Sequence, residues 1–177
     1  MISKTIGNSD AFFLDVKRKT DNRGIFCKVF QESLLQNIEF HTKEFYYSSS
    51  KSNVLRGFHL QINNSIHGKI VSCLAGKVLD VLIDLRSGEK FGCVYSTFLD
   101  SANNDTIFIP KGYGHAFLNL NNEDAFLGYL VDSEYSINDD TGILWSSVDF
   151  NWPIQNPIVS ERDKLLVDLE KFKPLII

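Results

Sequence analysis

Arg56 and His59 lie close together in Asn53-Val54-Leu55-Arg56-Gly57-Phe58-His59-Leu60-Gln61, a short and otherwise uncharged run. An imidazole moves protons near neutral pH, and a guanidinium holds an anion with a planar fork of donors. Three further segments each offer one group: Lys69 after the Asn63-Asn64-Ser65 turn, Tyr129 in a late apolar run, and Asp163 near the end. Chemistry at a carbon beside a ketone needs a base for the α proton, a donor for the enolate oxygen and an acid that returns a proton. His59, Lys69 and Tyr129 suit those roles, and Asp163 suits the task of orienting the imidazole and raising its basicity. Each also has a structural reading: His59 as a core imidazole, Lys69 as a strand-end charge, Tyr129 as a core aromatic, and Asp163 as part of a capping box with Ser160. Spacing alone does not bring the four together.

A second group suits anions. Arg23 in Asp21-Asn22-Arg23-Gly24, Arg56, and His115 in Pro110-Lys111-Gly112-Tyr113-Gly114-His115-Ala116-Phe117 could meet diphosphate oxygens, for which planar arginine donors are well shaped. Arg23 reads equally as a turn charge and His115 as a core imidazole. The chain has no G-x-x-x-x-G-K-[ST] loop, which argues against ATP-type phosphoryl transfer.

The elements that must position these groups read as strands. Apolar residues recur mostly at period two in short runs between Gly, Asn, Asp and Ser clusters, and phenylalanine occurs 14 times. Nine strands are expected: Gly24 to Phe30, Phe45 to Ser49, Val54 to Gln61, Lys69 to Leu74, Lys77 to Leu85, Val94 to Leu99, Thr106 to Pro110, His115 to Leu120 and Ala125 to Asp132. That number suggests a sandwich or barrel. In the fifth run Leu79, Val81, Ile83 and Leu85 are expected to face the core, with Asp80, Asp84 and Arg86 projecting oppositely. Helix is expected only around Glu32 to Ile38 and from about Ser160 to Lys171.

With 177 residues and 44% hydrophobic content, the chain suits one domain with a sizeable core. A net charge of -4 argues against nucleic acid and anionic membrane as partners, so an anionic ligand must be met by local cations. Cys27, Cys73 and Cys93 are odd in number and far apart, which supports neither a disulfide framework nor a zinc site. With no signal-like h-region and no membrane-length apolar run, a soluble cytoplasmic protein is expected.

The ordered series Asp21-Asn22-Arg23-Gly24, Asn53 to Gln61, Gly68-Lys69-Ile70-Val71, Asp80 to Arg86, Ile109 to Phe117, Gly142-Ile143-Leu144-Trp145, Asn151-Trp152-Pro153 and Ser160-Glu161-Arg162-Asp163 resembles the dTDP-4-dehydrorhamnose 3,5-epimerase family. The match runs from about residue 10 to 165. The resemblance implies an all-β, cupin-like jelly-roll barrel with a few short peripheral helices, usually a homodimer. It implies epimerisation at C3 and C5 of a nucleotide-diphosphate-linked 4-keto-6-deoxy sugar, without metal or redox cofactor, in making a deoxysugar for a surface polysaccharide. By motif position His59 matches the general base, Asp163 its dyad partner, Lys69 the enolate-stabilising cation and Tyr129 the acid on the opposite face. Arg23 and Arg56 match diphosphate contacts, His115 a site histidine and Tyr135 a base-stacking aromatic. Gln61, Asp140 and Arg162 complete the candidate substrate-binding set. A metal-binding cupin pattern needs His-x-His, whereas His59 is followed by Leu60 and Gln61.

Two departures bear on the nucleotide. Lys28 stands where the family usually has a glutamate, and Glu44-Phe45-Tyr46 stands where it usually has Gln-x-Asn. An ammonium in place of an acceptor suits a base with an acceptor edge, so CDP, GDP or UDP is expected rather than dTDP. The alternatives are a C3-only or C5-only epimerase, a 3,4-ketoisomerase, and a non-catalytic sugar-nucleotide-binding cupin.

Overall fold

The computed structural model describes residues 4–35 and 38–177. Among them the strands are β1 (Lys4–Thr5), β2 (Phe12–Phe13), β3 (Arg18–Asp21), β4 (Gly24–Cys27), β5 (Glu44–Ser50), β6 (Leu55–Gln61) and β7 (Lys69–Ala75). They continue with β8 (Lys77–Asp84), β9 (Val94–Asp100), β10 (Thr106–Ile109), β11 (Tyr113–Leu118), β12 (Ala125–Val131) and β13 (Asp140–Gly142). Two antiparallel sheets, ordered β1-β2-β10-β7-β12-β5 and β13-β6-β11-β8-β9, face each other as a cupin-like jelly roll. Strands β3 and β4 form a separate hairpin. The nine expected strands are all present; β1, β2 and β13 are too short for a period of two to register, and β3 is wholly polar, with no apolar residue to mark it.

Three apolar clusters result, one of them formed by Phe12, Leu14, Leu35, Phe40, Ile70 and Phe108 at the first sheet. Val71, Leu127 and Tyr129 of one sheet meet Val78, Leu82 and Phe117 of the other between the layers. Leu79, Val81, Ile83 and Leu85 face outward from the second sheet and are buried by Trp145, Trp152, Val159, Leu169 and Leu175 of the C-terminal segment. The opposite face of β8 therefore does not project to solvent as expected. Asp80 and Asp84 are each 1% exposed and point between the sheets.

The C-terminal segment is also less helical than expected. The α-helix α1 spans only Glu161–Lys164, and a single 3-10 turn follows at Leu169–Lys171. Between them Val167 bridges Ile143, and its carbonyl accepts from Leu144 N–H at 2.8 Å, so sheet pairing holds the chain extended. The earlier helical expectation becomes a 3-10 turn at Glu32–Leu35, and residues 36–37 of that expectation lie outside the described ones. The expected strand Gly24 to Phe30 ends at Cys27.

Strand β6 carries the feature that shapes the site. Strict alternation would place Arg56 and His59 on opposite faces. A register shift against β11 between His115 and Phe117 places both toward the same cavity. At the shift, Gly57 takes φ 116, and a Cβ there would run into the β11 backbone at His115 and Ala116. Only glycine fits that approach.

Candidate active site

A cavity opens at one end of the space between the sheets, with lobes of about 480 Å³ and about 250 Å³. Tyr46, His59, Lys69 and Arg162 line both lobes. Strand β6 supplies His59 from one sheet, while β7 and β12 supply Lys69 and Tyr129 from the other.

His59 is backed by a carboxylate delivered from outside the sheet. Ser160 caps α1 by accepting from Asp163 N–H at 3.1 Å, half of a capping box, while the Asp163 carboxylate turns toward β6. There Asp163 Oδ2 accepts from Gly57 N–H at 3.1 Å, and Oδ1 lies 2.8 Å from His59 Nε2. Burial alone would raise the Asp163 carboxyl, but the hydrogen bonds from His59, Gly57 and Ser160 hold it below the usual carboxylate range. An ionised Asp163 only accepts, so Nε2 carries the proton and Nδ1 is left as the basic nitrogen. Asp163 thus takes part in the cap through its backbone and meets His59 through its carboxylate.

Lys69 is 6% exposed, and its Nζ donates to the His59 carbonyl at 3.0 Å. Burial lowers its ammonium to about 8, against the opposing pull of Asp140 and Asp80. Tyr129 is buried in the smaller lobe, its hydroxyl 3.4 Å from Ser48 Oγ, and burial keeps its phenol protonated far above the usual range. His115, directly across from His59 in the β6–β11 register, lies on the same wall with Nε2 at 2.7 Å from Asp80 Oδ2. Arg56 faces the smaller lobe, with Nε donating to Ser50 Oγ at 2.9 Å and Nη2 to the Ser49 carbonyl at 3.0 Å.

The larger lobe is closed by the loop of residues 133–139. Glu44 Oε1 accepts from Tyr135 N–H at 2.9 Å, and Gln61 exchanges two hydrogen bonds with the Ser136 backbone at 3.1 and 3.0 Å. Asp140 Oδ2 accepts from Tyr135 Oη at 3.1 Å and pairs with Arg162 Nη2 at 2.6 Å. Glu44, Gln61 and Asp140 therefore line the cavity while their polar atoms hold this loop. Tyr46 lies flat on Tyr129, ring centroids 4.8 Å apart.

Two expected binding residues are elsewhere. Arg23, its side chain 86% exposed, pairs with Asp21 on the β3–β4 hairpin, and Lys28 follows that hairpin, exposed. The hairpin belongs to neither large sheet, so neither side chain reaches this cavity in the single chain.

Three contributors escaped the sequence reading. His67 lines the larger lobe, and its Nδ1 lies 3.0 Å from the Ser65 carbonyl, so Nδ1 carries a proton. Burial, Lys69 and Lys111 lower this imidazole to about 4, leaving it neutral with Nε2 as an acceptor. Its spacing of two from Lys69 is the signal that could have found it. Asp80 was placed on the solvent face, and Ser48 lay unremarked two positions from Tyr46. Asp80 Oδ1 is buried with no hydrogen-bond partner among the described residues.

A family model described as dTDP-4-dehydrorhamnose 3,5-epimerase matches residues 7–171. A Shigella flexneri protein named dTDP-4-dehydrorhamnose 3,5-epimerase is 36% identical over 162 residues, which are 87% of this chain and 88% of that one. The structure of Legionella pneumophila dTDP-6-deoxy-D-glucose-3,5-epimerase in complex with dTDP-4-keto-L-rhamnose matches with a TM-score of 0.89 at 27% identity, covering 96% of this chain and 93% of that one. A double mutant of a 3′-monoepimerase from Streptomyces bikiniensis, in complex with dTDP, matches with a TM-score of 0.86 at 25% identity, over 94% and 87% of the two chains. Matched along nearly its whole length by the family model and by relatives that it covers almost end to end, the chain belongs to the dTDP-4-dehydrorhamnose 3,5-epimerase family of sugar-nucleotide isomerases.

Proposed function

We propose that the chain epimerises a dTDP-linked 4-keto-6-deoxyhexose at C3 and C5 through an enolate, with His59 as base, Tyr129 as acid and Lys69 as the enolate's counter-charge. The observation that carries this reading is the His59–Asp163 pair at 2.8 Å, facing Tyr129 and Lys69 across the cavity from the opposite sheet. A 4-keto group acidifies the C–H bonds on both sides, so the protein has only to orient the sugar, remove a proton and hold the enolate charge. A base on one wall and a neutral phenol on the other return the proton to the face opposite its departure, which inverts the carbon. Arg56 and Arg162 are the cations of this cavity for the diphosphate, and His115, held by Asp80, faces the sugar from the floor.

The expectation of CDP, GDP or UDP rested on Lys28 and on Glu44-Phe45-Tyr46. Glu44 holds Tyr135 and Tyr46 stacks on Tyr129, so neither is free to read a base edge in this cavity, and Lys28 on the exposed hairpin could meet a base only across a dimer. The relatives are named for dTDP sugars. A second reading, inversion of one carbon only, is favoured by the likeness to the Streptomyces bikiniensis 3′-monoepimerase.

Dimerisation belongs to the proposal. Phe45 and Tyr47 are 62% and 67% exposed, and together with Leu74 and Phe126 they form an apolar outer face on β5, β7 and β12. The β3–β4 hairpin exposes Ile25 and Phe26 beside Arg23. Apolar surface of this extent marks an association site, and a second copy supplies the same patch in return. In that arrangement the hairpin's Arg23 and Lys28 serve the partner's cavity. Sedimentation should give a mass near twice 20.1 kDa, falling to a single chain in a Phe45→Glu, Tyr47→Glu variant. A wild-type monomer would refute the dimer.

Proton NMR in D2O with dTDP, CDP, GDP and UDP 4-keto-6-deoxyhexoses tests the reaction. The C3 and C5 proton signals of the dTDP sugar should vanish with the intact protein, and at least about a hundredfold more slowly with His59→Ala. Loss at one carbon would mean a monoepimerase, preference for another nucleotide would displace dTDP, and no loss with any sugar would leave the non-catalytic reading. The alkaline limb provides a separate check. Lys69 is an ammonium below about 8 and neutral above it, so kcat/KM should fall as the pH rises through that value. In Lys69→Arg the cation persists and the limb should move upward; a limb unmoved by this change would assign it to another group.

A further inference from the structure

Building on the proposed epimerase reaction, we propose that Tyr46 is a positioning residue that holds the Tyr129 ring in place as a proton donor, and so sets how often the enolate is reprotonated with inversion rather than retention. Tyr46 and Tyr129 are directly paired across β5 and β12. Their rings lie 4.8 Å apart and 15° from parallel, a stacked geometry that restricts both side chains.

Tyr129 is 6% exposed and its inner side packs in the interlayer core, but its cavity side has few other partners. Its hydroxyl has Ser48 Oγ at 3.4 Å, at the long limit for such a bond. The edge of His115 approaches with centroids 6.1 Å apart. The flat face of Tyr129 is covered by Tyr46, which is itself 42% exposed and belongs to the walls of both lobes. An exposed aromatic held flat over a buried phenol is an arrangement that solvent alone does not favour. Both phenols stay neutral: burial, with Glu44 and Asp140 nearby, pushes Tyr46 up to about 12, and burial keeps Tyr129 higher still.

The consequence lies in the partition of one intermediate. His59 removes the α proton and leaves an enolate. If the protonated His59, exchanged with D2O, returns a deuteron, the carbon is labelled with retention. If the Tyr129 O–H bond breaks and its hydron forms the new C–H or C–D bond on the other face, the carbon is inverted, the resulting phenolate is reprotonated from solvent, and the imidazolium of His59 releases the abstracted proton to solvent. A Tyr129 ring free to swing loses the second route more than the first.

The test measures α-proton washout and inversion in the same D2O reaction for wild type, Tyr46→Asn and Tyr46→Phe, with thermal unfolding as the check on folding. Tyr46→Asn should lower the ratio of inversion to washout by roughly tenfold, the upper range of what an aromatic stack supplies. Tyr46→Phe, which keeps the ring, should restore that ratio to within about threefold of wild type on the same grounds. An unchanged ratio in Tyr46→Asn, or equal loss of washout and inversion, would overturn the inference and make Tyr46 an ordinary wall residue. Absence of washout in the wild-type protein would instead remove the reaction itself, and the inference with it, a failure recognisable because it precedes any substitution.

Discussion

The contact between Asp163 and His59 is the constraint on which the arrangement of the cavity depends. It joins a residue of the C-terminal segment to one in the middle of a sheet, so it forms only if that segment is packed against the outer face of β6. The packing rests on apolar burial by Trp145, Trp152, Val159 and their neighbours, the non-directional force that carries most folding free energy. The direction comes from elsewhere. Ser160 caps the short turn of α1, and Gly57, able to lie against β11 because it has no Cβ, presents its N–H to the same carboxylate. A buried carboxylate is costly unless several donors meet it, and here those donors also fix which imidazole nitrogen is basic.

The polar side chains in the rest of the cavity are likewise each held by a partner. His115 faces Asp80, Arg162 faces Asp140, and Arg56 is held by Ser50 and a carbonyl. Such pairing lets a polar pocket persist among apolar clusters, since an isolated charge there would shift its pKa and lose its ionisation. Lys69 shows the limit of this compensation, with Asp80 and Asp140 only partly offsetting its burial. The low dielectric that penalises such a cation also magnifies its field on any anion held beside it.

Much of this was legible in the sequence, and the rest was hidden for identifiable reasons. Long alternating runs such as Lys77 to Leu85 revealed their strands, whereas β13 is three residues long and owes its existence to pairing with β6. Alternation also misled, since it separates two faces without saying which is wet. In β8 both faces are buried, and Asp80 was therefore placed in solvent when it lies under the cavity. The helical periodicity after Ser160 was overridden by the bridge from Val167 to Ile143. Arg56 and His59 were recognised as a pair, but their common orientation depends on a register shift that no periodicity encodes. Arg23 and Lys28 were assigned from motif position, and a motif does not say that its hairpin stands apart from both large sheets.

Ionised Asp163 fixes His59 with its proton on Nε2, leaving Nδ1 free to accept a proton. Nitrogen-15 NMR of histidine-labelled protein near neutral pH measures this directly. In the wild type, His59 should show a protonated Nε2 and an unprotonated Nδ1, and in Asp163→Asn that single tautomer should give way to a mixture. A wild-type His59 protonated on Nδ1, or a spectrum unaltered by Asp163→Asn, would contradict the account.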